Sequence, residues 1–334
     1  LFAAYITNFS CGPDSFLVTY FRDIMKTKPS LTLELDSHSA DAGLNTRVEA
    51  FVDIVDRYRR LGIKDTGPGR FRAADLVKEN GNMLYIDSSG KKHDMRECKL
   101  LFPSMGRFGS EGIAAAFEGM GFVSEAVPVP DFDTLMIGRA NTSCKECMPL
   151  QLCTASLLRY LEERKNKDEL LLYFMPESAG NCRFAQYNIF LRNLVKKKQI
   201  KNTAIFTLSS AAGYAGLGSA RILKVLKTLV VTDVIDDIYS AVSVIAEDVE
   251  EGKEVLEECW QKMLDCFRNN KDLKKTLRGV SSNLSRIPRK QELRDAKKML
   301  LAGEIYVRKD NFSPLNLIDK LIKNDILVLR SPIL

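Results

Sequence analysis

Leu170-Leu171-Leu172-Tyr173-Phe174-Met175 is an unbroken apolar run, entered from Asp168-Glu169 and left through Pro176-Glu177. A run this short and this uniform reads as a strand covered on both faces, the kind found in the middle of a parallel sheet. Toward the N-terminus lie a helix ending near residue 163, a strand over 123–128, a helix over 110–120 and a strand over 100–103. Toward the C-terminus, helical spacing over 184–197 leads to a strand over 204–208. Strands alternating with helices of this length imply an α/β fold: Rossmann-like parallel sheets with helices on both faces.

The same alternation continues outward into tandem lobes joined by a helical segment. Residues 3–6 and 31–35 read as strands around a helix over 14–25, and a helix over 46–61 carries Val48, Phe51, Val52, Val55 and Tyr58 on one face. Gly67-Pro68-Gly69, Asn80-Gly81-Asn82 and Ser88-Ser89-Gly90 then break any long period. From about 216 to 267 the pattern is mostly helical, and it stays so to 300. A strand over 302–308, a helix over 315–323 and a strand over 326–329 close the chain. The implied division is 1–64, the C-terminal part of a Rossmann-like lobe with a cysteine loop; 65–97, a connector with a small hairpin; 98–210, a Rossmann-like cysteine-loop domain; 211–300, helical; and 301–334, the start of a further α/β lobe.

The 334 residues, 45% of them hydrophobic, suffice for two or three ordinary cores. No run approaches the roughly eighteen apolar residues of a membrane span, and no secretory leader pattern opens the chain. A cytoplasmic protein without membrane contact is the expectation. A first residue other than Met and an end just after a strand are in keeping with a piece of a longer polypeptide. The formal charge of +6 is spread widely. Its clusters, Lys196-Lys197-Lys198 and residues 271–275, lack interleaved aromatics and read as helix ends or solvated faces rather than a nucleic-acid surface.

The eight cysteines are too sparse and irregular for a disulfide scaffold. Asn141-Thr142-Ser143-Cys144-Lys145-Glu146-Cys147-Met148-Pro149 and Pro176-Glu177-Ser178-Ala179-Gly180-Asn181-Cys182-Arg183-Phe184 each place a cysteine in a polar loop just ahead of a helix. Unpaired N–H groups at a helix start favour thiolate, the metal-binding form. Cys11, in Ser10-Cys11-Gly12-Pro13-Asp14, has the same setting. These residues point to a soft-metal site. They are also open to a reading as small thiols packed at helix starts, and Cys144, Cys147, Cys153 and Cys182 to a reading as a zinc site. Cys98, Cys259 and Cys266 read as core. His38 reads as a capping residue of a turn and His93 as a solvated hairpin residue. Gly213-Tyr214-Ala215-Gly216-Leu217-Gly218 has the wrong glycine order for a dinucleotide loop, and no P-loop lysine motif occurs.

Taken in order, Asn8 to Phe16, Leu33 to Gly43, Thr46 to Phe51, Met105-Gly106, Lys145 to Leu150, Gly180 to Tyr187 and Gly303 to Arg308 resemble the long activator-like proteins of the 2-hydroxyglutaryl-CoA dehydratase system. The resemblance covers nearly the whole chain and extends to a superfamily of dehydratase subunits and double-cubane cluster proteins. It implies an iron–sulfur electron-transfer component, part of an ATP-driven reductase or acyl-CoA dehydratase activase system. Cys11, Cys147 and Cys182 match the family's cysteines and are the implied ligands of a cluster, 4Fe–4S or double-cubane. Cys144, where similar proteins usually have glycine, is a potential extra ligand. ATP would act only through a partner or a missing module. The implied partners are an activator ATPase module or dehydratase subunits, with a homodimer as a further option. The alternative is a cofactor-free, dehydratase-like scaffold that docks an activator ATPase. Glu304 and Arg308, in the last matching segment, read as structural.

Overall fold

The structure, a computed structural model, describes residues 1–8, 12–36, 41–63, 71–79, 82–177, 182–208 and 218–333. β1 (Ala3–Thr7), α1 (Asp14–Met25) and β2 (Ser30–Glu34) form the first unit, whose two strands pair in parallel with Ala3 opposite Ser30. Asp14, in the first turn of α1, accepts hydrogen bonds from Tyr5 and Thr7 on β1, which fixes the helix to the strand. α2 (Asp41–Leu61) starts earlier than its apolar spacing suggests, with Asp41 placed favourably in its first turn. None of its residues is buried: Phe51, Val55 and Tyr58 are half-buried and Val48 and Val52 exposed, so the face expected to pack is only partly covered.

The expected connector is more ordered than its glycines suggest. β3 (Asp75–Glu79), β4 (Asn82–Ile86) and β5 (Lys92–Asp94) form a three-stranded antiparallel sheet, and β3 lies against the outer strand of the central sheet described below. Tyr85, fully buried, anchors it to the central core. His93 is not solvated: its side chain is 10% exposed and Nε2 lies 2.9 Å from Asp87 Oδ2. Asp87 Oδ1 accepts from Ser89 N, Ser89 Oγ and Lys91 N. The Ser89 hydroxyl first, and His93 next, hold the Asp87 carboxyl well below its ordinary value. A depressed folded-state pKa stabilises above the unfolded value near 3.8, and that stability is lost as pH falls toward the folded value. Between about pH 5 and pH 3 the urea midpoint of the wild type should therefore fall more than that of Asp87→Asn, and the variant should be weaker by about 1–2 kcal/mol at neutral pH.

The central domain runs β6 (Lys99–Phe102), α3 (Arg107–Glu118), β7 (Val123–Ala126), α4 (Phe132–Ala140), α5 (Met148–Glu163), β8 (Leu171–Phe174), α6 (Tyr187–Lys197) and β9 (Thr203–Phe206). Its four strands are all parallel in the order β7-β6-β8-β9. The apolar run read as a doubly covered strand is β8. Leu171 and Tyr173 enter one core, Leu172 the core on the opposite face, and all three are fully buried. Cys98, Cys259 and Cys266 are buried as expected, and burial pushes the Cys98 thiol up to about 12.

Three long helices follow: α7 (Ser219–Ile245), α8 (Val249–Arg268) and α9 (Leu273–Leu284). α7 and α8 pack on α3 around the fully buried Trp260, whose indole donates to Glu111. The helical pattern does not persist to residue 300. It stops with α9, and β10 (Lys297–Leu301) is a strand paired in parallel with β11 (Ile326–Arg330). Nor are residues 302–308 a strand. Gly303, at φ 123, ends the extended chain; Glu304 then caps α10 (Ile305–Lys309) by accepting from Val307 N at 2.7 Å. α11 (Leu317–Ile322) completes the C-terminal unit. Among the described residues no helix is long and apolar enough to cross a membrane.

Candidate cysteine site at the carboxyl edge of the sheet

In the central sheet the connection from β6 leads to one side and the later strands lie on the other, so the chain reverses direction between β6 and β8. The loops leaving those two strands bracket this switch point, the usual ligand position in an open α/β sheet. The β6 loop holds Ser104, Met105 and Gly106, and the β8 loop leads to Cys182. α5 returns antiparallel to the strands, so its start, with Cys147, lies at the same edge. Both cysteines are N-cap residues: Cys147 of α5, and Cys182 of a 3-10 turn, Arg183–Gln186, that runs into α6. Neither start is capped by a side chain, which leaves N–H groups directed at the loops.

A hydrogen bond joins the Cys147 loop to α6: Cys147 Sγ lies 2.6 Å from Tyr187 Oη, and Tyr187 is the first residue of that helix. Tyr187 is 4% exposed, and burial first, then Cys147, raises its pKa far above the ordinary value. Its ring contacts those of Phe184 and Phe16 at 5.1 and 6.3 Å.

α1 closes the site from the side. Arg183 Nη1 donates to Ser15 Oγ at 3.0 Å, Tyr20 Oη to Gln186 Oε1 at 3.4 Å, and Thr19 Oγ1 to Glu146 Oε1 at 3.1 Å. Glu146, 3% exposed, also accepts from Ser143 N and Oγ through its other oxygen, so one buried carboxylate orders the loop before Cys147. Burial, followed by Glu146 and Asp23, pushes the Tyr20 hydroxyl up to about 12. Lys145 meets Glu34 on β2. From the third unit, Tyr306 enters the core that Met105, Cys147, Met148, Phe184 and Phe312 border. A Cβ on Gly106, at φ 81, would stand 2.4 Å from the Lys309 carbonyl oxygen, so only glycine admits α10 this closely.

α1 and α10 thus lie against the elements that carry Cys147 and Cys182. Cys11, like His38 and most of the Gly213–Gly218 loop, lies outside the described residues; Gly218 does open α7. Cys144 is exposed, stands at φ 60, and donates its thiol to the Arg139 carbonyl at the end of α4. A left-handed position favours glycine. Cys153 is packed in the core, and burial raises its thiol pKa. Among the described residues no three His, Cys, Asp or Glu side chains group as a metal site.

No family model, curated protein or solved structure matches the chain.

Sequence reasoning passed over Glu146 and the pairing of Tyr187 with Cys147. The signal for Glu146 was an acid between two cysteines in a loop with two hydroxyl residues. Tyr187 carried none, because nothing in the sequence links α6 to a thiol forty positions earlier. Glu304 and Arg308 are structural as expected, the second donating to the carbonyls of Gly303, Ser331 and Pro332.

Proposed function

We propose that this chain is an iron–sulfur electron-transfer component related to the 2-hydroxyacyl-CoA dehydratases and their ATP-dependent activators. The observation that carries the reading is the bond between Cys147 and Tyr187, which ties the first cysteine loop to the start of α6, five residues after Cys182. The donor chemistry suits a cluster: soft thiols at uncapped helix starts, a buried hydroxyl against one sulfur, and aromatic walls that exclude water. Cys147 and Cys182, with Cys11, would hold it, and the cluster when bound supplies one-electron transfer at low potential. The protein's part is to fix the sulfurs and to shield the Cys147 side from water. Tyr187 holds Cys147 in place, Glu146 orders the loop before it, and Phe16 and Phe184 cover the buried side. ATP hydrolysis belongs to an activator module, and dehydratase subunits are the electron acceptors.

Anaerobic reconstitution with ferrous iron and sulfide tests the reading. Uptake of both in proportion, with broad visible absorbance that air bleaches, is the expected result. Protein that takes up neither while folded and reduced is instead the cofactor-free docking scaffold. Comparing spectra of wild type and Cys144→Gly decides the fourth position. An unchanged spectrum is expected, since the Cys144 thiol is turned to the end of α4.

A further inference from the structure

α8 packs against both α7 and α9, while α7 and α9 stand apart and leave a groove of about 560 Å³ between them. Its floor is aliphatic, with Ile235, Ile238, Val242, Met263 and Val280. Its lips are exposed: Val230 is 51% and Val234 52% exposed on α7, Leu277 38% on α9, and Leu293 46% beyond it. Leu223 and Leu226 continue the stripe at helical spacing toward the start of α7. From Val230 to Ala246 the trough spans about 24 Å, or four to five helical turns.

The α9 lip is basic, whereas on α7 the cations lie before the trough, which from Val230 to Ala246 carries no Lys or Arg. Arg221 and Lys227 on α7, and Lys274, Lys275 and Arg278 on α9, are exposed and form no ion pair among the described residues; nor does Arg286. From residue 273 to 290 the chain carries six basic side chains and no acid, and only Arg289 and Lys290 find carboxylates, Glu292 and Asp325.

We propose that this groove seats an acidic amphipathic helix of a partner protein. A helix with apolar residues at i, i+3/i+4 and i+7 fills such a trough, and acids along one flank would meet the unpaired cations of α9. A small apolar ligand does not fit, because such ligands are mostly enclosed and this groove is open along one side. A second copy of this chain would bring the same acid-free stretch of six cations, 273–290, to the same interface. The surface is independent of the cysteine site, so either assignment can fail alone.

Three labelled peptides of about sixteen residues test it against the full chain by fluorescence anisotropy: leucines on one face with glutamates on the flanks, the same peptide with lysines for glutamates, and the glutamate peptide with its order scrambled. The first should bind at least about tenfold more tightly than either control. Val234→Asp, at an exposed position that does not disturb the fold by circular dichroism, should weaken it by more than about tenfold. Lys275→Glu with Arg278→Glu should turn the preference to the lysine peptide. Equal binding of ordered and scrambled glutamate peptides, or no loss with Val234→Asp, overturns the proposal. So does self-association in sedimentation velocity that Val234→Asp abolishes, which would give the groove to a second copy.

Discussion

Cys147→Ala and Cys182→Ala should each remove most of the iron bound after reconstitution while the central sheet stays folded. Losing one thiolate opens a cluster, whereas the apolar cores on either side of β8 do not depend on either sulfur. The two variants should differ in stability, and the difference follows from burial. Cys182 is exposed, and its loss should change the unfolding free energy by no more than about 0.5 kcal/mol. Cys147→Ala strands the buried Tyr187 hydroxyl, at about 1–3 kcal/mol, and adding Tyr187→Phe should recover part of that. Cys259→Ala is the control: a buried thiol of the helical core, it should leave iron content alone. Iron analysis beside urea unfolding reads both effects. Unchanged iron in both loop variants would show that the cluster assignment is wrong.

Lys309→Met should cost about 3–5 kcal/mol. Lys309 is 1% exposed, with Nζ 2.5 Å from Asp233 and 3.4 Å from Asp236 on α7. Arg330 on β11 adds a contact of 3.3 Å to Asp236 and donates to the Lys309 carbonyl and to Asn311. Two cations thus meet Asp233 and Asp236 inside the joint between α7 and the C-terminal unit, with Asp237 and the buried Asp310 also in their field. Burial raises the Asp236 pKa despite the opposing pull of Arg330 and Lys309. Removing Lys309 leaves an uncompensated buried charge. Asp233→Asn in the Lys309→Met background should restore part of the loss. A drop in unfolding free energy below about 1 kcal/mol for Lys309→Met would show that water reaches the joint.

How much of this the sequence disclosed depended on how local the cause was. β8 and its flanking helices were legible because a doubly covered strand is apolar throughout, and α1 because its apolar spacing is clean. The end of the chain misled for the same kind of reason. Ile305-Tyr306-Val307 has the composition of a strand, but a glycine at positive φ and a glutamate cap two and one residues earlier turn it into helix. β10, exposed at four of its five positions, lacked the apolar signature of a strand. At the site, Cys147 and Cys182 were found from their loops, since a cysteine before a helix is a local pattern. The buried joint at Lys309 was not, because its charges come from α7, α10 and β11 and meet only after folding.

The small antiparallel sheet that interrupts the chain after α2 also acts as a guard. β9 is the last strand of the parallel sheet and would otherwise offer a row of unpaired backbone groups to any passing strand. β3 lies against it, and Arg192 spans the two, donating to Asp75 on one side and to the Ile205 carbonyl on the other. A deletion of 72–94 that spared every cysteine would therefore still produce a protein prone to edge-to-edge aggregation. What reads in the sequence as a linker between lobes is part of what keeps copies of the sheet from joining one another.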